Sequence, residues 1–504
     1  MKSNKIFHIK NLFIYFSLLV SVGCKKPEYA NTLHSTPDAI KKVTLANNIT
    51  GHLQDDIGNP VKNVVVSDGF TCTITDDNGN YTLTRDSAAQ FVYFSAPAEY
   101  NASVGSSGLR EFYKKITAPL SDAVQADFTL IKKAKETKFK IIGISDPQVA
   151  STAELNRFKN ETVDDIKTNM NGESLPYYTL VLGDVVADKQ DLLVPIRQSL
   201  ATISPSTFVV AGNHDLFKSA TNQTKNGEIF SAVFGPLDYS FNVGDVHFIC
   251  MNDIIFAADG SYSSGFTAKQ LIWLQQDLSY VSKDKVIVMS YHRHTLNTGG
   301  TEMKNLLAGY KEVHIMAGHL HANANNINSA NPLFYQHIHG AACGRWWSST
   351  INADGTPNGY QVFEVENNAV KNWYYKSVRY PKDFQIRMYR GNSSFGGPNG
   401  TFSFNLTSSQ IVANVWNMDS SWKVDVYENN VKTGTMERFT GIDAWATGYH
   451  NGVLTEKAFA NPEHLYKYTL KDPGATVKIV ATDRFGTQYT QTNFTTDLST
   501  AASY

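Results

Sequence analysis

Five apolar runs in the middle of the chain, 139–144, 178–182, 207–211, 286–290 and 313–317, are each too short for a helix and too continuous for a strand with one wet face. Runs of this kind predict strands buried on both faces, as in a mostly parallel sheet. Helical spacing lies between some of them. Ser151-Thr-Ala-Glu154 is a capping-box pattern ahead of Leu155, Phe158, Ile166 and Met170, and Thr267-Ala-Lys-Gln270 is a second ahead of Leu271, Leu274, Leu278 and Val281. Strands alternating with helices predict an α/β layered domain over 139–375. On either side the period falls to two. Residues 42–132 contain short β-branched runs separated by Asn, Asp and Gly, and 376–504 contain Trp422-Lys-Val-Asp-Val-Tyr427 and the 477–486 run. These predict an all-β domain on each side, the second a β-sandwich without clear helices. Asp76-Asp-Asn-Gly79 lacks the alternating ligand spacing of a calcium loop and predicts a hairpin turn.

Composition adds bounds. With 504 residues, 42% hydrophobic and 18% charged, the chain is globular and long enough for two to four domains. A net charge of −1 with no basic run excludes a nucleic-acid footprint. The first 23 residues differ: Lys2, Lys5 and Lys10 precede an apolar stretch at 12–22 that is too short to span a bilayer, and Ser21-Val-Gly23 supplies small residues. This reads as a signal peptide. The Gly23-Cys24 junction resembles a bacterial lipobox, although Ser21 stands where leucine is usual, and implies lipidation at Cys24. A periodless stretch to residue 41 then reads as a tether. The expected location is the cell envelope, in the periplasm or at the outer membrane, with a lipid anchor as the only membrane contact. Cys24-Lys-Lys-Pro-Glu28 lacks the acidic sorting signal that follows the cysteine in some surface-exported lipoproteins, which favours the periplasmic side. Cys72, Cys250 and Cys343 are odd in number and scattered, which predicts buried thiols and no disulfide framework.

The candidate chemistry follows the five runs in order: Asp146 and Gln148; Gly183-Asp184; Gly212-Asn213-His214-Asp215; His292; and Gly318-His319-Leu-His321. Ligands of α/β sheets bind beyond the carboxyl ends of the strands, so five such sets can meet in one crevice. Their series resembles the calcineurin-like metallophosphoesterase family over about 139–375, a layered β-sandwich core with flanking helices. Residues 49–83 resemble the carboxypeptidase-regulatory or transthyretin-like sandwich. The three-part order resembles that of bacterial envelope members of the family.

The resemblance implies a hydrolase with two divalent metal ions (Mn, Fe, Zn or Mg) that cleaves a phosphomonoester or phosphodiester with a metal-bound hydroxide. By the same resemblance Asp184 bridges the metals, Asp146, Gln148 and His321 complete one shell, and Asn213, His292 and His319 complete the other. His214 matches the position that protonates the leaving oxygen, and Asp215 one that can orient it, though a plain turn residue fits Asp215 as well. Gln148 stands where the family more often has histidine; its amide oxygen is a harder donor, which makes manganese or magnesium more competitive. His294 is a candidate for a supporting or substrate role. Arg345 suits a phosphate, and Trp346 and Trp347 a hydrophobic or sugar substituent, with core packing as the alternative. His247 and His314 read as structural. A different class, an envelope lipoprotein binding a glycan or other ligand through a degenerate core, would use the paired tryptophans but has no need of the full ligand set. The partner is a phosphate-ester substrate; neither its identity nor the oligomeric state is legible.

Overall fold

The computed structural model describes residues 48–218, 223–294, 300–328, 334–456, 458, 460 and 462–499. The segments expected as a signal peptide and a tether, and the expected lipidation site Cys24, lie outside the described residues. The centre is a pair of sheets packed face to face. One runs in the order Thr207–Val210, Tyr177–Leu182, Lys138–Ile144, Gly359–Glu366 and Ala369–Ser377; its first three strands are parallel and the last two antiparallel. The other runs Tyr239–Val243, Val246–Cys250, Val286–Arg293, Glu312–Gly318, Phe334–Ile338 and Ala324–Asn328, with its middle four strands parallel. The buried runs are explained by this layering. Along Lys138–Ile144, Ile141 faces the inter-sheet core with Leu180 and Val288, while Ile142 faces the helices with Val181 and Leu193. Both predicted helix starts form. Ser151 caps Thr152–Phe158, which passes through a π-turn at Lys159–Val163 into Asp164–Met170, and Thr267 closes a reciprocal capping box on Ala268–Ser279.

The N-terminal β region is a two-sheet sandwich whose core is continuous with the central one, through Phe112 against Phe208 and Tyr239 and through the Trp273 indole donating to Ser67 Oγ. The Asp76–Gly79 stretch differs from the hairpin expected. It is a turn, with Asp76 Oδ1 accepting from the backbone of Asn78 and Asn80, but Cys72–Ile74 before it and Asn80–Leu83 after it belong to different sheets. The turn therefore carries the chain around the corner of the sandwich. The C-terminal region has two four-stranded sheets, as its alternation predicts. It also has a short helix, Ala444–Thr447, running into a π-turn at Gly448–Val453, where Asp443 caps a segment too short to show a helical period. Cys72, Cys250 and Cys343 are free thiols, with Cys72 only half-buried.

The core and the C-terminal sheets meet through buried polar groups. Asp354 accepts from His464 Nε2 at 3.0 Å and from the Asn323 backbone at 2.7 Å, and Asn414 bridges His464 to Asp443. Burial pushes the Asp354 pKa up, but His464 and the surrounding donors bring it below the ordinary aspartate value. Removing one partner of a buried pair strands the other, so Asp354→Ala should cost about 3 kcal/mol of stability at pH 7 in denaturant unfolding. A carboxylate whose pKa is depressed by folding stabilises above its unfolded pKa and ceases to as pH falls through the folded one. The gap between variant and parent should therefore shrink below about pH 4.

Candidate metal centre

The five polar sets do meet beyond the strand ends. The carboxylate of Asp184, just past Tyr177–Leu182, accepts from the His214 backbone at 2.8 Å and from Gln148 Nε2 at 3.0 Å, and lies 3.1 Å from His292 Nε2. His292 Nδ1 is 2.8 Å from the Leu182 carbonyl, which fixes the ring and leaves Nε2 for the cluster. His319 Nδ1 lies 3.2 Å from that Nε2, and Asp184, His292 and His319 present ligand atoms within 4.8 Å of one another. Beside them Asp146 Oδ1 is 3.5 Å from His321 Nε2, and Asp146 Oδ2 accepts from the His319 backbone at 2.9 Å. His321 Nδ1 rests 3.7 Å from Cys343 Sγ.

The backbone is bent to make this possible. Asp146, Gln148, Asp184, His319 and His321 all have left-handed φ, between 39° and 74°, a conformation that costs of order 1–3 kcal/mol at a non-glycine residue. Two motif glycines have a direct reason: a Cβ on Gly212 would sit 2.2 Å from Asp184 Oδ1, and one on Gly318 1.9 Å from Ser145 Oγ. Strain concentrated at so many neighbouring residues persists only because the folded frame holds it.

The donor set fits cations. Asp146 Oδ1, Gln148 Oε1 and Asn213 Oδ1 are buried oxygens without a hydrogen-bond partner, and an unsatisfied buried oxygen costs about 1–3 kcal/mol unless something positive meets it. Burial raises the Asp184 pKa, but His292 and the His214 N–H hold it well below the ordinary value. Burial lowers that of His292, yet Asp184 lifts it to about 10. His319 is pushed down to about 3 by burial and by His292. Oxygen and imidazole donors together suit zinc, iron or manganese, and the Gln148 amide oxygen favours the harder ions.

Two expectations are corrected, those for Asp215 and Trp347. Asp215 does not orient His214: it is fully buried, and its two oxygens accept from the backbone of Val186 and Gly212, so it clamps two loops together. The partner of His214 Nδ1 is Asp188 Oδ2, at 2.9 Å, itself 3.4 Å from Lys218 Nζ. Asp188 was detectable only as a second carboxylate four residues past Asp184. Trp347 is not a substrate residue either: it is 3% exposed, its indole donates to the Pro147 carbonyl, and Arg157 covers its ring. Trp346 is 54% exposed and stands edge-on to His321. Arg345 stacks on Trp346, and His294 lies beside His319 with ring centroids 6.5 Å apart. Tyr262 and Arg293 also reach this region without any sequence signal, Tyr262 edge-on to His319 and Arg293 over the Tyr262 ring. His247 and His314 are buried in pairs with Asp277 and Glu312, as structural residues should be.

Three family models match successive parts of the chain: the N terminal of calcineurin-like phosphoesterase over 47–133, calcineurin-like phosphoesterase over 139–323, and the C terminal of calcineurin-like phosphoesterase over 336–489. Among solved structures the chain is similar to a dimetal phosphatase from Danio rerio, with 13% identity, 48% of this chain and 96% of that one covered, and a TM-score of 0.33. It is also similar to a purple acid phosphatase from yellow lupin (Lupinus luteus), with 12% identity, 62% and 66% covered, and a TM-score of 0.35. A 5′-nucleotidase precursor from Thermus thermophilus shows 10% identity, 70% and 88% covered, and a TM-score of 0.29. A search of the curated proteins finds no match.

The two aspartates flanking this loop should separate cleanly on mutation. Asp188→Asn, which loosens the His214 ring, should lower turnover of a chromogenic phosphate ester roughly 10- to 100-fold at nearly unchanged stability. Asp215→Ala strands two buried N–H groups and should instead cost about 3 kcal/mol in an unfolding titration.

Proposed function

Because the chain belongs to the calcineurin-like phosphoesterase family and is a metal-dependent hydrolase of phosphoester bonds, we propose that it works through a dinuclear site. The observation that carries this is the set of buried oxygens that no hydrogen bond satisfies, on Asp146 and Gln148, which contact the Asp184, His292 and His319 cluster, and on Asn213, next to the His214 N–H that binds Asp184. Asp146, Gln148 and His321 would hold one cation and Asn213, His292 and His319 the other, with Asp184 a ligand available to both. When bound, such a pair supplies charge for the phosphoryl oxygens and acidifies a water enough to attack at neutral pH.

The chain's own residues do the rest. Asp184 is held by two N–H donors, the His214 backbone and the Gln148 amide, so its carboxylate cannot rotate away. The Leu182 carbonyl holds His292 in one tautomer. At the partly exposed edge, Asp188 takes His214 Nδ1–H and leaves Nε2 to give a proton to the departing alkoxide. His214 is tied through its backbone to Asp184, so acid and cluster keep their spacing. The setting that goes with this function is export, lipidation at Cys24 and a place on the cell envelope.

Stripping metal with a chelator should abolish turnover of a chromogenic monoester or diester, and reloading with manganese or magnesium should restore it better than zinc. Gln148→His should shift that preference toward zinc. His214→Ala should lower kcat by about 10²-fold or more with the metals still bound. Two metals bound and no turnover of either ester would overturn the enzymatic reading in favour of a binding protein.

A further inference from the structure

Four side chains at the centre, Arg293, Tyr262, Trp346 and Arg345, have no part in the chemistry above. Arg293 follows His292 directly. Its Nε is buried without a hydrogen-bond partner, and among the described residues its guanidinium makes no ion pair. It lies over Tyr262, 5.3 Å from the ring centroid, and Tyr262 in turn stands edge-on to His319 at 6.2 Å. Trp346 stands edge-on to His321 at 6.0 Å, with the Arg345 guanidinium 3.9 Å from its ring. Each histidine of the Gly-His-Leu-His motif thus has an aromatic ring set against it, and each ring is stacked on an arginine.

Trp346 is kept in this position at a cost. An aromatic residue with φ of 44° is strained, and a large apolar ring left half in water gains little from folding. The loop nevertheless holds it tightly. Arg345 N donates to the Ser349 carbonyl at 3.1 Å, Ser348 Oγ to the Arg345 carbonyl at 2.6 Å, and His450, from the C-terminal π-turn, meets Ser349 Oγ at 3.0 Å. On the other side Ala342 N donates to Ser145, next to Asp146, so the tryptophan and the candidate ligand share one stitched backbone.

We propose that the site takes a phosphomonoester whose alcohol carries a ring, with Arg293 meeting the phosphoryl anion and Trp346 and Tyr262 meeting the ring. This rests on the dinuclear reading above. Two divalent cations against the Asp146 and Asp184 carboxylates leave the centre positive, and Arg293 adds to it, so a dianionic monoester is better matched than a singly charged diester. A ring, whether sugar or heterocyclic base, presents the flat face that an exposed indole binds.

The test uses three alkyl phosphates of similar leaving group: glycerol 3-phosphate with no ring, ribose 5-phosphate with a sugar, and adenosine 5′-monophosphate with sugar and base. Hydrolysis is measured on the manganese-loaded protein, and binding by calorimetry on His214→Ala. The expected result is at least tenfold higher kcat/KM and tighter binding for one of the ring esters. Trp346→Ala should raise its Kd about tenfold while moving that of glycerol 3-phosphate less than twofold. Arg293→Ala should weaken all three, with Arg293→Lys restoring part of the loss. Preference appearing at ribose 5-phosphate identifies the ring as a sugar; preference only for the nucleotide identifies it as a base. Equal use of all three esters, or a preference that survives both Trp346→Ala and Tyr262→Ala, overturns the ring assignment while leaving the hydrolytic reading intact. Turnover of a chromogenic diester alone overturns the monoester assignment, and no turnover of any ester overturns the parent reading with it.

Discussion

A carboxylate removed from water has to be met by donors or positive charge, and Asp184, 1% exposed, is met by groups from three different strand ends: the Gln148 amide, the His214 backbone and the His292 ring. That single anion sets the register of the centre. Gly212 must be a glycine because the loop carrying Asn213 and His214 is drawn to within van der Waals contact of it. Gly318 does the same for the loop carrying His319 and His321, which is drawn onto Asp146. The frame that tolerates this crowding is the pair of packed sheets, whose parallel strands all end at one edge.

The centre is balanced internally only in part. Histidine and aspartate can share protons, but the Gln148 and Asn213 oxygens have no hydrogen-bond partner and Asp146 Oδ1 has only the His321 ring at 3.5 Å. Both this deficit and the left-handed backbone at five candidate ligands are costs of folding, of the kind a bound cation offsets by binding the native state alone. The expense is bearable because the surrounding shell is rigid: Leu182, Asp253, Pro147 and Asp215 each hold a loop through a backbone hydrogen bond.

The two flanking β regions are part of this frame. The N-terminal sandwich shares the central apolar core, and the C-terminal sheets grip the 341–358 loop through Asp354 and Ser349. That loop carries Trp346 to the rim. A change in the C-terminal region can therefore move Trp346 while leaving the cluster of Asp184, His292 and His319 untouched.

By itself the sequence determined the layered core, both capped helices and the order of Asp146, Gln148, Asp184, Asn213, His214, His292, His319 and His321. Burial on both faces, capping boxes and motifs at strand ends are local, so a one-dimensional pattern carries them. The orientation of His214 was not legible, because Asp188 and Asp215 are the same residue type in neighbouring loops, and only the folded backbone decides which carboxylate N–H groups consume and which one reaches the ring. Trp346 and Trp347 are adjacent and chemically identical, yet a single turn sends one to solvent beside His321 and the other under Pro147. Arg293 and Tyr262 lie thirty-one positions apart on separate elements. Their stacking is a long-range contact, and such contacts exist only once the sheets have closed.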